Sequence, residues 1–218
     1  VVVTISNKGF IKRMPVSGYR RQRRGGKGMK GTTTRDEEYV EHLFVATNHN
    51  YILFFTEKGK CYWLKVYEIP EGGRLARGRA IVNLIELDKD DNIKAFVPVK
   101  TLDDEEYVNS QSIVMCTEEG QIKKTKLEAY SRPRRDGIIA INIKEGDSLL
   151  AAELTDGDSN IILANKDGRA IRFHESDVRE MGRNTSGVRG MSLGKDDRIV
   201  DMVVIKNTQE ATVLAISE

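Results

Sequence analysis

The residues with the clearest chemical capacity form a short cationic, glycine-rich stretch from Arg20 to Gly31. Its sequence is RRQRRGGKGMKG, and residues 1–35 contain ten Lys or Arg and no Asp or Glu. Guanidinium and ammonium groups pair with phosphate oxygens, and glycine allows backbone N–H groups to approach the same oxygens closely. The stretch therefore predicts binding of a polyanion, most often nucleic acid, and a solvated basic loop is the alternative.

The rest of the chain is acidic and has the composition of a folded domain. Residues 36–218 hold 25 basic and 33 acidic residues, so the net charge of +2 conceals a basic segment on an acidic body. The longest apolar runs fall short of the roughly 18–20 residues of a membrane span. Cys61 and Cys116 lack metal-ligand spacing, and we expect both to be buried and reduced in a cytoplasmic protein. A first residue of Val and the lack of a signal peptide indicate a fragment of a longer chain.

Strand-like runs that end in a turn with glycine recur along the sequence. The turn glycines are Gly9, Gly59, Gly120 and Gly168, and a second β-prone run follows each of them. Two such runs around a short glycine turn predict a β-hairpin. A second glycine follows 17 or 19 residues later, at Gly28, Gly78, Gly137 and Gly187, before a third and a fourth strand.

A period of about 50 residues with four strands per unit predicts an all-β, propeller-like array. The predicted blades cover residues 1–50, 51–110, 111–159 and 160–210, and Ala211–Ser217 is interpreted as the first strand of a fifth unit. Helix is limited to a single turn at Glu37–His42 and another at Ser176–Met181. The whole chain is thus predicted to be one domain of repeated blades.

Cations outside the glycine-rich stretch recur at similar places in the repeats. The second hairpin strands carry Lys12, Arg13, Lys123, Lys124 and Arg172, and the loops after them carry Arg74, Arg77, Arg79, Arg132, Arg134, Arg135, Arg183 and Arg189. If the blades surround a disc, these positions form one rim that contacts phosphates rather than base edges. The second unit has Tyr62 and Trp63 instead, which we interpret as packing residues, with base or sugar stacking as the alternative.

The sequence also resembles a known family. Gln22-Arg23-Arg24-Gly25-Gly26-Lys27-Gly28 matches all seven positions of the GyrA box, and the chain resembles the C-terminal domain of the DNA gyrase A protein over its whole length. The segments 9–13, 77–84 and 181–190 look like that domain as well. The corresponding domain of topoisomerase IV has similar blades with a degenerate box or none, so the intact box favours gyrase.

The resemblance implies a β-pinwheel, which is a propeller-like disc whose blades exchange strands with their neighbours. It implies sequence-tolerant wrapping of double-stranded DNA around a basic rim with positive handedness, in support of negative supercoiling. DNA-binding residues would be Gln22, Arg23, Arg24, Gly25, Gly26, Lys27 and Gly28 of the box, with weaker contributions from Arg20, Arg21, Lys30 and the rim cations named above. Among these, we expect Arg23, Arg24 and Lys27 to be phosphate ligands. The family usually has six blades, whereas this chain predicts four and the start of a fifth.

By the same resemblance, the DNA-cleaving tyrosine and the ATP and Mg²⁺ sites belong to other parts of the parent enzyme, an A2B2 complex of the gyrase A and gyrase B proteins. The chain itself is predicted to be non-catalytic, without a cofactor or metal. The scattered His42, His49 and His174 agree with this expectation because they lack the spacing of a metal site. A propeller that binds an acidic protein or RNA remains an alternative function.

Overall fold

The computed structural model describes residues 1–18, 38–207 and 211–212. Within them the chain forms fifteen strands: β1 (Val2–Ser6), β2 (Phe10–Met14), β3 (Val40–Val45), β4 (Tyr51–Thr56), β5 (Lys60–Lys65), β6 (Arg79–Ala80), β7 (Ile93–Val99), β8 (Ser112–Thr117), β9 (Gln121–Lys126), β10 (Ile138–Ile139), β11 (Leu149–Thr155), β12 (Ser159–Asn165), β13 (Ala170–His174), β14 (Val188–Arg189) and β15 (Ile199–Lys206). The same residues contain one α-helix, α1 (Glu105–Ser110), and short 3₁₀ helices at Val16–Gly18, Val66–Glu68, Ile81–Asn83, Leu127–Tyr130 and Glu175–Asp177. None of these helices is long and apolar enough to cross a membrane.

The strands form four small antiparallel sheets, one for each predicted blade. Their strand orders are β3-β1-β2-β6, β10-β5-β4-β7, β11-β8-β9-β14 and, for the described part of the fourth sheet, β13-β12-β15. Each of the first three sheets takes an edge strand from the sequence unit that follows it: β6 pairs with β2, β10 with β5 and β14 with β9. The predicted all-β propeller with exchanged strands is confirmed.

The contacts between sheets define an inner and an outer edge. The edge strands β7, β11 and β15 belong to three different sheets, yet β11 contacts both of the others. These edges therefore converge, and the exchanged strands β6, β10 and β14 lie on the opposite, outer edges of their sheets. Any loop that leads into an exchanged strand is consequently placed at the outside of the array.

The hydrophobic core lies between successive sheets. Leu53 and Phe55 of β4 pack with residues of the third sheet, whereas Ile52 and Phe54 pack with residues of the first. Alternate side chains of a strand point to opposite faces, so a strand between two neighbours buries both sets. This burial explains why β4 is an almost continuous apolar run, YILFFT, rather than an alternating one.

Glycine is required where an exchanged strand meets the preceding sheet. Gly78 and Gly187 have φ angles of +94° and +84°, in the left-handed region that other residues rarely adopt. A Cβ atom on Gly78 would lie 2.5 Å from the carbonyl oxygen of Ile11, and one on Gly187 would collide with that of Ile122. Among the described residues, the second glycine of the second, third and fourth units, Gly78, Gly137 and Gly187, thus marks a close contact between neighbouring sheets.

Three local predictions differ from the structure or lie beyond it. The helical turn expected at Glu37–His42 is wrong, because residues from Val40 onward form β3 and pair with β1. The turn expected at Ser176–Met181 is a 3₁₀ helix at Glu175–Asp177, and α1 was not predicted. The first strand of a fifth unit, Ala211–Ser217, lies outside the described residues except for positions 211 and 212.

Candidate nucleic-acid interface

Three loops of similar construction carry most of the described arginines predicted to bind DNA. We call residues 69–78, 131–137 and 178–187 the rim loops. Each begins at a 3₁₀ helix, and each leads into an exchanged strand at the outer edge of a sheet. The exposed arginines in or directly after these loops are Arg74, Arg77, Arg79, Arg132, Arg134, Arg135, Arg179 and Arg189, and Arg183 is half-buried.

The positive charge of the rim loops is only partly neutralised. The guanidinium of Arg77 pairs with Glu38 at 2.9 Å and lies 3.6 Å over the Phe10 ring, and the guanidinium of Arg135 pairs with Glu86 at 2.6 Å. Arg183 donates to the Ile139 carbonyl oxygen at 2.9 Å. Within residues 38–207, no ion pair is formed by Arg74, Arg79, Arg132, Arg134, Arg179 or Arg189. These six side chains can reach an external anion.

The Arg77–Glu38 pair fixes one rim loop to the first sheet. Arg77 Nε donates to both carboxylate oxygens of Glu38, at 3.1 and 2.9 Å, and Ser6 Oγ donates to one of them at 3.0 Å. The Arg77 hydrogen bond, helped by the Ser6 hydroxyl and opposed by burial, lowers the pKa of Glu38. The carboxylate therefore remains charged at neutral pH and holds Arg77 in place.

Three predicted rim lysines do not face solvent. Lys12 and Lys123 are 2% and 0% exposed, and Lys124 is buried as well. Lys12 Nζ donates to the carbonyl oxygens of Gly73, Arg74 and Ala76 at 3.2, 3.0 and 2.8 Å. Lys123 Nζ donates to the carbonyl oxygens of Ala140, Arg183 and Thr185. This geometry does not fit direct phosphate contact, because the ammonium groups lie beneath the rim loops and hold them from below.

Burial of Lys123 also affects its ionisation. Removal from water, together with the nearby Arg183 charge, lowers the pKa of Lys123 to about 8. Desolvation also lowers the pKa of Lys12. Both groups act as internal hydrogen-bond donors to the loops that carry Arg74 and Arg183.

In the first three units, the next position along the second hairpin strand also binds the unit that follows. Arg13 Nε donates to the Ile69 carbonyl oxygen at 2.7 Å, and Lys124 Nζ donates to that of Glu175 at 2.8 Å. In the second unit, Trp63 Nε1 donates to the Tyr130 carbonyl oxygen at 3.0 Å, and Tyr62 is only 1% exposed. The packing interpretation of Tyr62 and Trp63 is therefore confirmed. Arg172, at this position in the fourth unit, is exposed and donates to Asn160 at 3.3 Å.

The glycine-rich stretch is not among the residues that the structure describes. The predicted ligands Arg20, Arg21, Gln22, Arg23, Arg24, Gly25, Gly26, Lys27, Gly28 and Lys30 all lie outside the described residues. Their assignment to DNA binding stays a prediction. It rests on composition and on the sequence match alone.

Sequence reasoning missed several residues of the rim loops. Arg179 was passed over because it lies outside the regular spacing of the other arginines. Leu75 and Asn184 were passed over because neither is a cation. Both side chains are exposed, and in each case a buried lysine binds the carbonyl oxygens of the residues on either side. The signal that could have identified Leu75 and Asn184 is their position, three residues before the close-contact glycine.

The remaining chemistry of the described residues is structural. Cys61 and Cys116 are free and buried, and burial raises both pKa values, that of Cys116 to about 12, so they are protonated and unreactive thiols. His174 pairs with Asp158 at 3.0 Å. Among residues 1–18 and 38–207, no group of three or more His, Cys, Asp or Glu is arranged to hold a metal ion.

Comparison with known proteins gives one consistent family. The family model described as DNA gyrase C-terminal domain, beta-propeller, matches residues 1–47, 50–100, 111–156 and 159–206. The DNA gyrase A protein of Klebsiella oxytoca is 44% identical over 204 residues, covering 94% of this chain and 23% of that protein. The DNA gyrase A protein of Salmonella typhimurium is 41% identical over 218 residues, covering 100% of this chain and 24% of that protein. The chain spans about a quarter of the length of these relatives.

Solved structures agree with the sequence comparison. The crystal structure of the C-terminal domain of DNA topoisomerase IV has a TM-score of 0.77 at 28% identity, over 95% of this chain and 61% of that one. The structure of the DNA gyrase A C-terminal domain has a TM-score of 0.69 at 27% identity, over 93% of this chain and 64% of that one. Similarity to both places the four sheets in the same architecture.

Proposed function

Since the chain belongs to the DNA gyrase C-terminal domain family, we propose that it binds duplex DNA along its outer edge and wraps it. The observation that carries the proposal is the recurrence of exposed arginines on three rim loops of similar construction. Because each loop leads into the exchanged outer strand of a successive sheet, the cations follow one another along the same edge. A polyanion that runs along this edge meets rim-loop cations at each of the first three sheets.

The energetics of wrapping require contacts of this distributed kind. Smooth bending of a 20–30 bp site by 40–90° costs on the order of 1–6 kcal/mol. Each phosphate that an arginine neutralises releases counterions and contributes a slope of about −0.9 to the logarithm of affinity against the logarithm of salt concentration. Several rim arginines, supplemented by Arg23, Arg24 and Lys27, can supply the binding energy that offsets bending. Contacts to phosphates make such binding tolerant of DNA sequence.

The wrap is proposed to serve a larger enzyme. In that role the chain is a non-catalytic part of the gyrase A protein in an A2B2 gyrase. ATP-dependent negative supercoiling would be performed by the parent enzyme in the cytoplasm, with DNA wrapped with positive handedness on this domain. Gyrase is favoured over topoisomerase IV because relatives named as DNA gyrase are 41–46% identical to the chain and because the seven-residue box is intact.

A ligation-topology assay tests the proposed function. Nicked plasmid is sealed by ligase with increasing amounts of the chain, and the linking number is read on a gel after the protein is removed. We expect a positive shift that is lost when Arg23, Arg24 and Lys27 are changed to Ala and that is reduced by Arg132→Ala with Arg134→Ala. A matched control is Arg169→Ala with Arg198→Ala, which removes the same charge from exposed positions outside the rim loops.

The possible outcomes separate the proposal from its alternatives. Binding without a linking-number shift would contradict wrapping by this chain. Weak DNA binding combined with tight binding of one acidic protein or RNA would favour a propeller scaffold. Equal loss in the rim and control variants would mean that net charge, rather than the rim, determines binding.

A further inference from the structure

Leu75 is an exposed apolar side chain at the tip of the first rim loop. It is 77% exposed, the highest value among the large apolar residues that the structure describes as exposed. Single exposed apolar residues are common on protein surfaces and need no function by themselves. Leu75 differs from such a residue in two respects, which are its cationic neighbours and the rigidity of its turn. Arg74 precedes it, and Arg77 and Arg79 follow.

The turn that carries Leu75 is held from below. Lys12 Nζ binds the carbonyl oxygens of Gly73, Arg74 and Ala76, which lie on both sides of Leu75. The Ala76 N–H donates to the Gly73 carbonyl oxygen at 3.0 Å and closes the turn. With these carbonyls directed inward to a buried ammonium, the Leu75 side chain is left in solvent.

The same position in the other two rim loops carries a different exposed side chain. Leu75 lies three residues before Gly78, as Arg134 lies before Gly137 and Asn184 before Gly187. Lys123 Nζ binds the carbonyl oxygens of Arg183 and Thr185, on either side of Asn184, as Lys12 does around Leu75. The three described rim loops therefore expose a leucine, an arginine and an asparagine at their tips, and a buried lysine holds the turns that carry Leu75 and Asn184.

These side-chain types match the minor groove of DNA. Proteins that bend DNA read this groove with Arg and Asn, and they insert apolar side chains such as Leu between base steps. An inserted wedge partly unstacks the step and kinks the duplex by about 20–90°. Arg74 and Arg79, which form no ion pair within residues 38–207, would bind the phosphates on both sides of the kink.

We propose that Leu75 is a minor-groove wedge, which unstacks a base step and concentrates the bend of the wrapped DNA at the first rim loop. The proposal rests on the DNA binding proposed above and adds a mechanism for the bend. Arg134 and Asn184 occupy the groove at the next two loops without unstacking a step. A wedge of this kind would favour flexible TA and CA/TG steps over stiff A-tracts, because the former unstack at lower cost.

The test uses the full 218-residue chain and its Leu75→Ser variant on a duplex of about 150 bp, one persistence length. Permanganate oxidation of unstacked thymines and the end-to-end distance of the duplex are measured together. We expect Leu75→Ser to remove the permanganate signal and to reduce the total bend by about 20° or more. The salt slope should not change, because no charge is lost. Leu75→Phe, which keeps an apolar wedge, should retain the signal.

Two controls identify the source of any change. Val16→Ser alters another exposed apolar residue, 51% exposed and outside the rim loops, and should change neither readout. Arg79→Ala should lower the salt slope by about 0.9 and keep the unstacking. If the Leu75→Ser variant bends and unstacks DNA as the unmodified chain does, Leu75 is not a wedge, and only the proposal of DNA binding is retained. If the unmodified chain does not bind DNA, both proposals fall.

Discussion

The indole of Trp63 donates a hydrogen bond to the carbonyl oxygen of Tyr130 at 3.0 Å, across the boundary between the second and third sheets. Arg13 and Lys124 make the equivalent bonds at the two other boundaries, to Ile69 and Glu175. Three different side chains thus serve one purpose, which is to hold the 3₁₀ helix before a rim loop, or in the case of Ile69 the residue directly after that helix, against the preceding sheet. The donated hydrogen bond is shared by all three boundaries, and the two cations add ion pairs, Arg13 with Glu71 at 3.5 Å and Lys124 with Glu175 at 3.9 Å.

Replacement of Trp63 should therefore destabilise the fold. Trp63→Phe keeps an aromatic ring but leaves the Tyr130 carbonyl without its donor, and we expect a loss of about 1–3 kcal/mol in the free energy of unfolding. Urea denaturation followed by circular dichroism measures it. Tyr67→Phe, at a residue that is 50% exposed, is the control and should stay within about 0.5 kcal/mol. An unchanged midpoint for Trp63→Phe would show that the bond between the sheets contributes nothing.

Alanine at Gly187 should be poorly tolerated, because it requires both a left-handed φ of +84° and space that the Ile122 carbonyl occupies. Strain of this kind costs about 1–3 kcal/mol, before any cost of the collision. Gly182→Ala is the matched control in the same rim loop, since Gly182 lacks a positive φ and has open space at its Cβ position. Thermal unfolding of the two variants compares them directly. Equal melting temperatures would contradict the role of Gly187 in strand exchange.

Lys123 should give the stability a distinctive pH dependence. The folded chain releases this proton near pH 8, whereas the unfolded chain holds it to the ordinary lysine value of 10.5. The unfolded state therefore binds more protons between these values, and this group makes stability rise with pH across the window. At 1.36 kcal/mol per unit, the rise is at most about 3 kcal/mol.

The measurement is the difference in unfolding free energy between the unmodified chain and Lys123→Met at several pH values on both sides of this window. Subtracting the variant removes the titration of other groups, including Cys116 and Tyr130, whose pKa values burial raises. The difference should change in favour of the unmodified chain as pH rises from about 8 to 10.5. A difference that is flat with pH would mean that Lys123 keeps an ordinary pKa.

Glu38 should also make stability rise with pH, but in the acid range. Its pKa lies below the usual value, so its stabilising effect is complete above pH 4.5 and is lost as pH falls through the lower value of the folded state. Glu38→Gln should be less stable at neutral pH and should lose less stability on acidification. Urea unfolding at neutral pH and in acid tests this. The exposed Glu41→Gln variant, on the same segment, controls for the loss of one negative charge.

The rim arginines should have a measurable salt signature on DNA. Arg132→Ala with Arg134→Ala should lower the salt slope by about 1.8, because Arg132 at a phosphate and Arg134 in the groove each neutralise DNA charge, at about 0.9 per cation. Fluorescence anisotropy of a labelled duplex over a range of salt concentrations gives the slope. Arg169→Ala with Arg198→Ala should leave it nearly unchanged. Identical salt slopes for the two double variants would mean that the second rim loop does not contact DNA.

Much of the architecture is determined locally and could be predicted from the sequence. A turn that ends in Gly59 between two β-prone runs is a local signal for a hairpin, and the hairpins expected at Gly59, Gly120 and Gly168 are all present. The recurrence of these hairpins, each followed by a second glycine, indicates repeated sheets. Residues 20–31 also indicate an affinity for polyanions by composition alone.

Tertiary structure alone decided which sheet each short strand joins and which cations face solvent. Strands of two residues, such as β6 and β10, have no periodicity that would select a partner, and the choice depends on packing against the preceding hairpin. Lysine is usually a surface residue, yet Lys12 and Lys123 are buried. The rim-loop carbonyl oxygens that accept their hydrogen bonds belong to residues 60 or more positions farther along the chain. Local sequence could not distinguish a lysine that binds phosphate from one that holds a loop, because the difference depends on whether a distant part of the backbone folds over the ammonium group.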